Sequence, residues 1–261
     1  MYRFGWWTTG RDEAAVELLK TVLDAINQDV IKGEISYVFI SREKGESRYS
    51  DEIIEISQAK AIPCVSFSAK KFKPELRKTN RELWRDEYHD QVLQLVTPYE
   101  ADLIVLAGYM WVVSASACER LKLINLHPAL PGGPEGTWQE VIWKLIKEDH
   151  DKTGAMMHLV TPELDKGPPV TYFSFPIKGH EWDDLWQDFA ERLKKAGSFE
   201  NLVNTIGEQL PLFKKIREEG VKRELPLIVN TMRAFSLGEI SLSDLKEPRE
   251  IICDDISNNA Q

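Results

Sequence analysis

The stretch Ala101–Ala107, ADLIVLA, constrains the fold more than any other part of the chain. It is a near-continuous apolar run. Strands read this way when both faces of a sheet are covered, as in parallel sheets wrapped by helices. The flanking patterns agree. Tyr2–Thr8 is a short aromatic strand, and a helical pattern follows, with Ala14, Ala15, Leu18, Leu19, Val22 and Ile26 on one face. Thr9 or Asp12 is placed to cap that helix. Ile35–Ile40 reads as a second strand, Ser41–Ser50 as a polar loop, Asp51–Lys60 as a short helix and Ala61–Phe67 as a third strand, with Pro63 tolerable near its start. The basic run from Lys70 to Arg85 predicts a helix that continues to Val96 with Leu83, Val92 and Leu95 inward. Its lysines and arginines read as a solvated face, or as a hold on the anionic tail of a ligand. Gly108 ends the apolar strand. Met110, Trp111, Val112 and Val113 then form an apolar shelf before a short helix around Ser114–Leu121.

Beyond a further strand at Leu121–His127, the pattern Trp138, Val141, Ile142, Leu145 and Ile146 marks a helix over Thr137–Lys147. Gly154–Val160 and Pro169–Ile177 read as strands. Lys178–Gln209 reads as helical, and Leu210–Leu237 as one or two helices interrupted by Gly220 and Pro226. The alternation of strands and helices predicts an α/β fold with a mostly parallel central sheet and helices on both faces. No composition shift marks a boundary. Residues 1–247 are therefore expected to form a single domain with a helical elaboration around 178–220, followed by a polar, frayed tail over 248–261.

Bulk properties narrow the class. A length of 261 residues allows one large domain or two small ones, with a hydrophobic content of 43% that suits a globular protein. The net charge of −9 argues against a nucleic-acid or membrane-surface binder, both of which need basic patches. An anionic small substrate needs only a local positive potential. Cys64, Cys118 and Cys253 lack metal-ligand spacing, so no metal site is expected, and their sparse, odd number suits a reducing cytoplasm. The start, MYRFGWWTTGRDEAA, has no signal-like core, and no run approaches the roughly 20 apolar residues of a membrane helix.

Chemistry concentrates in LKLINLHPALPGGPEG, Leu121–Gly136. Asn125 and His127 stand two apart at the end of a strand, so an amide and an imidazole project from one face where the chain turns. Pro128 removes a donor and stops the strand. Open α/β sheets bind ligands outside the carboxyl ends of their strands. Asp165, on the loop joining the two later strands, completes a polar trio. An amide donor can hold a developing oxyanion, a His can donate or move a proton, and a carboxylate can orient the His or receive a proton through water. The trio suits acyl transfer or hydrolysis; the alternative is a structural His with a surface Asp. No G-x-S-x-G and no paired Cys and His signal a covalent nucleophile. His158, alone within its strand, reads as a satisfied structural residue. Thr9, Gly10 and Arg11 open the first helix, where free N–H groups and the helix dipole make an anion site, or else an ordinary turn.

Four segments carry a resemblance. Val105-Leu106-Ala107-Gly108-Tyr109-Met110, Ile124-Asn125-Leu126-His127-Pro128-Ala129-Leu130-Pro131, Gly154-Ala155-Met156-Met157-His158 and Glu163-Leu164-Asp165-Lys166-Gly167-Pro168 together resemble the folate-dependent formyltransferases, the purine-type members above all. The resemblance spans roughly residues 1–177 and a helix near 225–235. It implies a Rossmann-like formyltransferase domain and 10-formyltetrahydrofolate as donor cosubstrate. It also implies an acceptor that is a phosphorylated amine, glycinamide ribonucleotide of purine biosynthesis first. Asn125, His127 and Asp165 match the family's catalytic trio. The implied pterin shelf is Leu106, Met110, Trp111, Val112, Val113, Leu123, Val160, Thr161 and Leu164. The implied acceptor contacts are Thr9, Gly10, Arg11, Gly108, Met110 and Pro128. Partners would be small molecules, with no nucleic acid and no membrane, in the cytoplasm, and with homodimerisation open.

The chain departs from the family pattern in four places. The turn Thr8-Thr9-Gly10-Arg11-Asp12 replaces a Gly- and Ser/Asn-rich loop, the usual H-P-S-L-L-P becomes His127-Pro128-Ala129-Leu130-Pro131-Gly132 with Gly133 and Pro134 following, Trp111 stands where a basic residue is common, and Lys178–Gly220 lacks an obvious acceptor-binding acid. Two other readings remain open. One is a 10-formyltetrahydrofolate hydrolase, although such hydrolases usually carry an N-terminal regulatory domain that has no room before Thr8. The other is a non-catalytic folate- or nucleotide-binding protein, for which a complete trio is not required. Formyltransferases of sugar nucleotides and aminoacyl-tRNA usually add a C-terminal domain, which is not evident.

Overall fold

The computed structural model describes residues 1–245 and 247–252. Its sheet comprises β1 (Tyr2–Thr8), β2 (Gly33–Ile40), β3 (Cys64–Ser66), β4 (Leu103–Leu106), β5 (Leu123–His127), β6 (Lys152–Leu159), β7 (Pro169–Pro176) and β8 (Arg249–Glu250). The strand order is β3-β2-β1-β4-β5-β6-β7-β8. β1 pairs in parallel with β2 and β4, β2 with β3, β4 with β5, and β7 with β8. The helices are α1 (Glu13–Asn27), α2 (Arg48–Ala59), α3 (Pro74–Thr79), α4 (Arg81–Val96), α5 (Ala115–Arg120), α6 (Trp138–Lys147), α7 (Asp183–Ala196), α8 (Phe199–Ile206) and α9 (Pro211–Ser236). The expected α/β sheet is therefore present. The chain runs outward from β1 to β3 and then returns to place β4 on the other side of β1. That reversal is a topological switch point, where such sheets open a crevice.

Contacts divide the chain into two compact units. The first comprises Met1–Leu126, Met157–Pro168 and Ile228–Glu247. Its strands are buried on both faces, which is why ADLIVLA is almost uniformly apolar: Leu103 to Leu106 are all buried. One core face joins Trp7, Tyr37 and Phe39 to Trp84, Tyr88 and Val92 of α4 and to Leu106, Tyr109, Val113 and Leu123. Burying each such large side chain stabilises the fold by about 1.5–3 kcal/mol. Asp12 caps α1 by accepting from the Ala15 N–H at 3.3 Å, which settles the choice between Thr9 and Asp12.

The expected helix from Lys70 to Val96 is two helices. Asn80 adopts an extended conformation (φ −148°) and its side chain accepts from Leu83 N at 3.1 Å, capping a new helix. The restart sets the buried face at Trp84, Tyr88, Val92 and Val96, spaced by four, and leaves Leu83 and Leu95 exposed rather than inward. The periodicity was ambiguous because both faces of this helix carry apolar residues.

The second unit comprises His127–Met156, Pro169–Leu227 and the segment from Pro248. Thr137 and Glu140 form a reciprocal capping box at the start of α6. Trp143 of α6 packs against Phe213 of α9 and Phe199 of α8, with ring centroids 4.7 and 5.7 Å apart. Gly154 is obligatory, because a Cβ there would stand 1.9 Å from the carbonyl oxygen of Phe173. Two expectations change. α9 runs unbroken for 26 residues through Gly220 and Pro226. Burial of Leu227, Ile228, Met232 and Phe235 offsets the roughly 3 kcal/mol that an internal proline costs. The start of the expected frayed tail instead pairs with β7: Arg249 and Glu250 lie beside Thr171 and Tyr172, and Ile251 N donates to Tyr172 O at 2.7 Å. Cys253 and the rest of the tail lie outside the described residues.

Candidate active site

The turns after β1 and β4 meet at the switch point. Thr9 N donates to Gly108 O at 3.1 Å, and Met110 N donates to Thr9 Oγ1 at 2.9 Å. Gly108 has φ +68° and Gly10 φ +56°, the left-handed region that glycine enters without steric cost. A Cβ on Gly10 would also stand 2.7 Å from Ser50 Cα. Thr9, Gly10, Gly108 and Met110 are thus brought together.

Their donors, however, are largely engaged within the protein. Gly10 N donates to Thr8 Oγ1 at 3.1 Å, and Thr9 N is taken by Gly108. Arg11 folds back on Asp12, with Nε 3.0 Å from Oδ2. The N–H groups of Thr9 and Gly10, expected to face an anion, donate here to a neighbouring turn and to a threonine side chain. A residue not singled out from the sequence lies beside the turn instead. Arg42 follows β2, is half-buried, and donates from Nη1 to Gly10 O at 2.9 Å. Among the described residues no carboxylate pairs with it. The signal for it was available: it stands just past the carboxyl end of a strand beside the switch point.

The apolar shelf splits into two layers. Leu106, Val113 and Leu123 are fully built into the core, and Trp111 and Val160 pack against them. Trp111 leans on Trp84, with centroids 5.3 Å apart, receives the Arg77 guanidinium 5.4 Å over its ring, and donates from Nε1 to Ser41 Oγ at 3.1 Å. Met110 and Leu164 are 44% and 53% exposed, so they offer apolar surface to a ligand. Val112 and Thr161 are half-buried.

Asn125, in the middle of β5, is half-buried. Its Nδ2 lies 3.2 Å from His158 Nε2. His158 Nδ1 lies 3.0 Å from the Leu159 carbonyl, which can only accept, so Nδ1 carries the proton. In the neutral ring Nε2 is then an acceptor, and the Asn125 amide donates to it. His158 Nε2 also lies 3.7 Å from Asp165 Oδ1, with both side chains largely shielded from solvent. His158, expected to be structural, therefore bridges two members of the trio. Its spacing in the sequence could not reveal this, because the contact joins two strands and a loop. Asp165 itself has φ +55°, a left-handed conformation that is strained for a non-glycine residue and that concentrates at functional sites.

His127 ends β5, two residues past Asn125 and on the same strand face. It is buried, and its Nε2 lies 3.1 Å from Pro134 O, so Nε2 carries a proton. The loop that holds it is pinned in turn: Gly133 N donates to Leu130 O at 2.8 Å and Lys144 Nζ to Glu135 O at 3.2 Å. Pro128 is half-buried.

The chain is similar to known proteins of one family. The formyl transferase family profile matches residues 14–206. A phosphoribosylglycinamide formyltransferase of Saccharomyces cerevisiae is 29% identical over 164 residues, covering 58% of this chain and 74% of that protein. The Escherichia coli protein of that name is 24% identical over 170 residues, covering 64% and 72%. Among solved structures, glycinamide ribonucleotide transformylase 1 from Geobacillus kaustophilus superposes with a TM-score of 0.64 at 18% identity, covering 90% of this chain and 98% of that one. The Symbiobacterium toebii transformylase 1 gives 0.61 at 18%, covering 97% and 94%. At such identities the structural likeness speaks for the fold, while the family profile takes in most of the chain. The chain is an enzyme of the formyl transferase family.

Proposed function

We propose that the protein transfers a formyl group from 10-formyltetrahydrofolate to the amine of a phosphorylated acceptor, with glycinamide ribonucleotide in purine biosynthesis as the first candidate. The observation that carries this reading is the Asn125–His158–Asp165 arrangement, with His127 on the same strand as Asn125. The names of the related proteins support the acceptor. The acceptor nitrogen attacks the formyl carbon and the carbonyl oxygen becomes an oxyanion. Asn125 keeps a second amide N–H for that charge, and His127, whose Nε2–H goes to Pro134 O, donates from Nδ1 in its protonated form. Asp165 receives the amine proton directly or through water. Collapse then breaks the bond from carbon to N10 and releases tetrahydrofolate, with the proton passed to the leaving nitrogen. Met110, Leu164 and the half-buried Val112, Val160 and Thr161 form the ring-binding surface over a floor of Leu106, Val113 and Leu123. The acceptor's phosphate is held by Arg42 together with the N–H of Arg11. The substrates are small molecules, and the purine-biosynthesis reading supports a cytoplasmic setting; no described helix is long and apolar enough to cross a membrane.

A hydrolase reading also has an observation in its favour. Thr9 and Gly10 direct their N–H groups inward and Arg11 is neutralised by Asp12, as an enzyme using water as acceptor would allow. One experiment separates the two. Purified protein is mixed with 10-formyltetrahydrofolate alone and with a panel of phosphorylated and unphosphorylated amines, and tetrahydrofolate release is followed. Release that requires a phosphorylated amine and yields its formamide is the expected result. Release at the same rate without any amine replaces the transferase reading with the hydrolase, and absence of release in every arm leaves a binding protein.

A further inference from the structure

A cavity of about 410 Å³ opens at the amino ends of β1 and β4. Arg3 at the start of β1 and Ala101 just before β4 line it. The candidate active site lies at the carboxyl ends of these strands, about 20 Å away at the usual rise of a seven-residue strand. The cavity is of the size that holds small ligands, roughly 300–1,000 Å³. Tyr37 and Tyr99 stack at its wall, centroids 5.5 Å apart and planes 24° from parallel; Tyr37 is buried behind, so the half-buried Tyr99 offers the ring open to a ligand. Leu93, Val96 and Leu121 add apolar wall. Its two arginines differ. Arg3 is held by Glu100 and Asp102. Arg120, in the last turn of the short helix α5, has no carboxylate partner among the described residues and is exposed at the rim. Tyr37 accepts from Trp7 Nε1 at 2.9 Å, and burial pushes its hydroxyl above the usual tyrosine range, so it stays neutral and adds no repulsion toward an anion.

We propose that this cavity binds a small planar aromatic molecule carrying one anionic group, with the ring against the tyrosine stack and the anion on Arg120. Planar rings gain from offset stacking on tyrosine, and an unpaired guanidinium at the rim supplies the charge-assisted bond that fixes the ligand's orientation. The site is independent of the formyl-transfer chemistry, since none of its lining residues belongs to the active-site strand ends.

Calorimetric titration with 2-naphthoate and with its neutral analogue 2-naphthamide tests it. One 2-naphthoate per chain is expected, with the amide about tenfold weaker for loss of the charge-assisted bond. Arg120→Gln, on an exposed side chain, should reduce 2-naphthoate to the level of the amide without altering Tm. Thr97→Trp, which places an indole in the cavity mouth, should abolish both. Failure of 2-naphthoate to saturate a site overturns the proposal. So does unchanged binding in Arg120→Gln, which would put the probe elsewhere, the folate surface included. If Thr97→Trp lowers Tm, Arg120→Gln decides alone.

Discussion

Two parts of the first unit treat their polar groups in opposite ways. The turns around Thr9 and Gly108 direct donors and acceptors at one another: Thr9 N to Gly108 O, Met110 N to Thr9 Oγ1, Gly10 N to Thr8 Oγ1, and Thr9 Oγ1 to Ser41 Oγ at 2.9 Å. Glycine takes the left-handed positions there at little cost. The loop from Val160 to Gly167 does the reverse. It puts an aspartate in a left-handed conformation, leaves Leu164 exposed, and aims the Asp165 carboxylate at a buried histidine that orients an asparagine. The first region is a satisfied scaffold, and the second stores strain. Strain persists only where surrounding structure over-determines it, and it concentrates where a group must be presented for chemistry. The contrast supports the proposed chemistry at the second region, with the first holding the strand ends in register.

The strongest way to break this contrast is to remove the trio. Asn125→Ala or His127→Ala should lower kcat by roughly 10²–10³ while donor affinity and Tm change little. A fall in Tm that tracks the fall in activity would make these residues scaffold as well. Steady-state kinetics beside thermal melting separates the outcomes.

Next in size is an effect that belongs to the scaffold alone. His89 lies fully buried under the Gly108 turn, where Tyr109 Oη stands 3.2 Å from its Nε2 and Arg85 O accepts from its Nδ1 at 2.9 Å. Burial holds its pKa down at about 4. A histidine depressed in the folded state stays neutral while its unfolded counterpart takes up a proton. Stability is therefore complete above pH 6.5 and declines as pH falls toward 4, by as much as about 3 kcal/mol from this group. Denaturant melts from pH 7 to 4 should show that loss, and His89→Gln should flatten it. An unchanged slope in the variant would assign the acid sensitivity to other groups.

The comparison sharpens further at the acceptor. Because Arg11 is already paired, Arg42→Ala should raise the acceptor KM about tenfold, the value of one charge-assisted bond, and Arg11→Ala should do less. Donor Kd should stay constant in both. Equal effects would restore the anion site to the turn itself. The smallest effect expected is one of stability. Asp165→Gly should relieve the left-handed strain and stabilise the fold by up to about 1 kcal/mol while abolishing turnover. A destabilised Gly variant would show that Asp165 contacts outweigh its strain.

Much of the site was legible because it depends on local rules. Asn125 and His127 share a face by strand periodicity, and Pro128 ends the strand by removing a donor. What escaped detection depends on contacts between distant segments. His158 looks like any strand histidine until β6 and the 160–167 loop place it between Asn125 and Asp165. Thr9 looks like a free donor until Gly108, ninety-odd residues further on, supplies a carbonyl. Arg77 and Trp111 likewise gave no hint that the guanidinium would lie 5.4 Å over the indole.

The amino-acid sequence by itself determined the fold class, the switch from strand to loop at His127, and most of the helix faces, because each follows from a hydrophobic period or a conformational restriction carried by a few adjacent residues. Only the tertiary structure decided which polar groups remain for a ligand. It carried α9 through Pro226 and paired Arg249 and Glu250 with β7. The physical reason is the same in each case. A hydrogen bond or a buried face contributes only when its partner arrives, and these partners come from segments far apart along the chain.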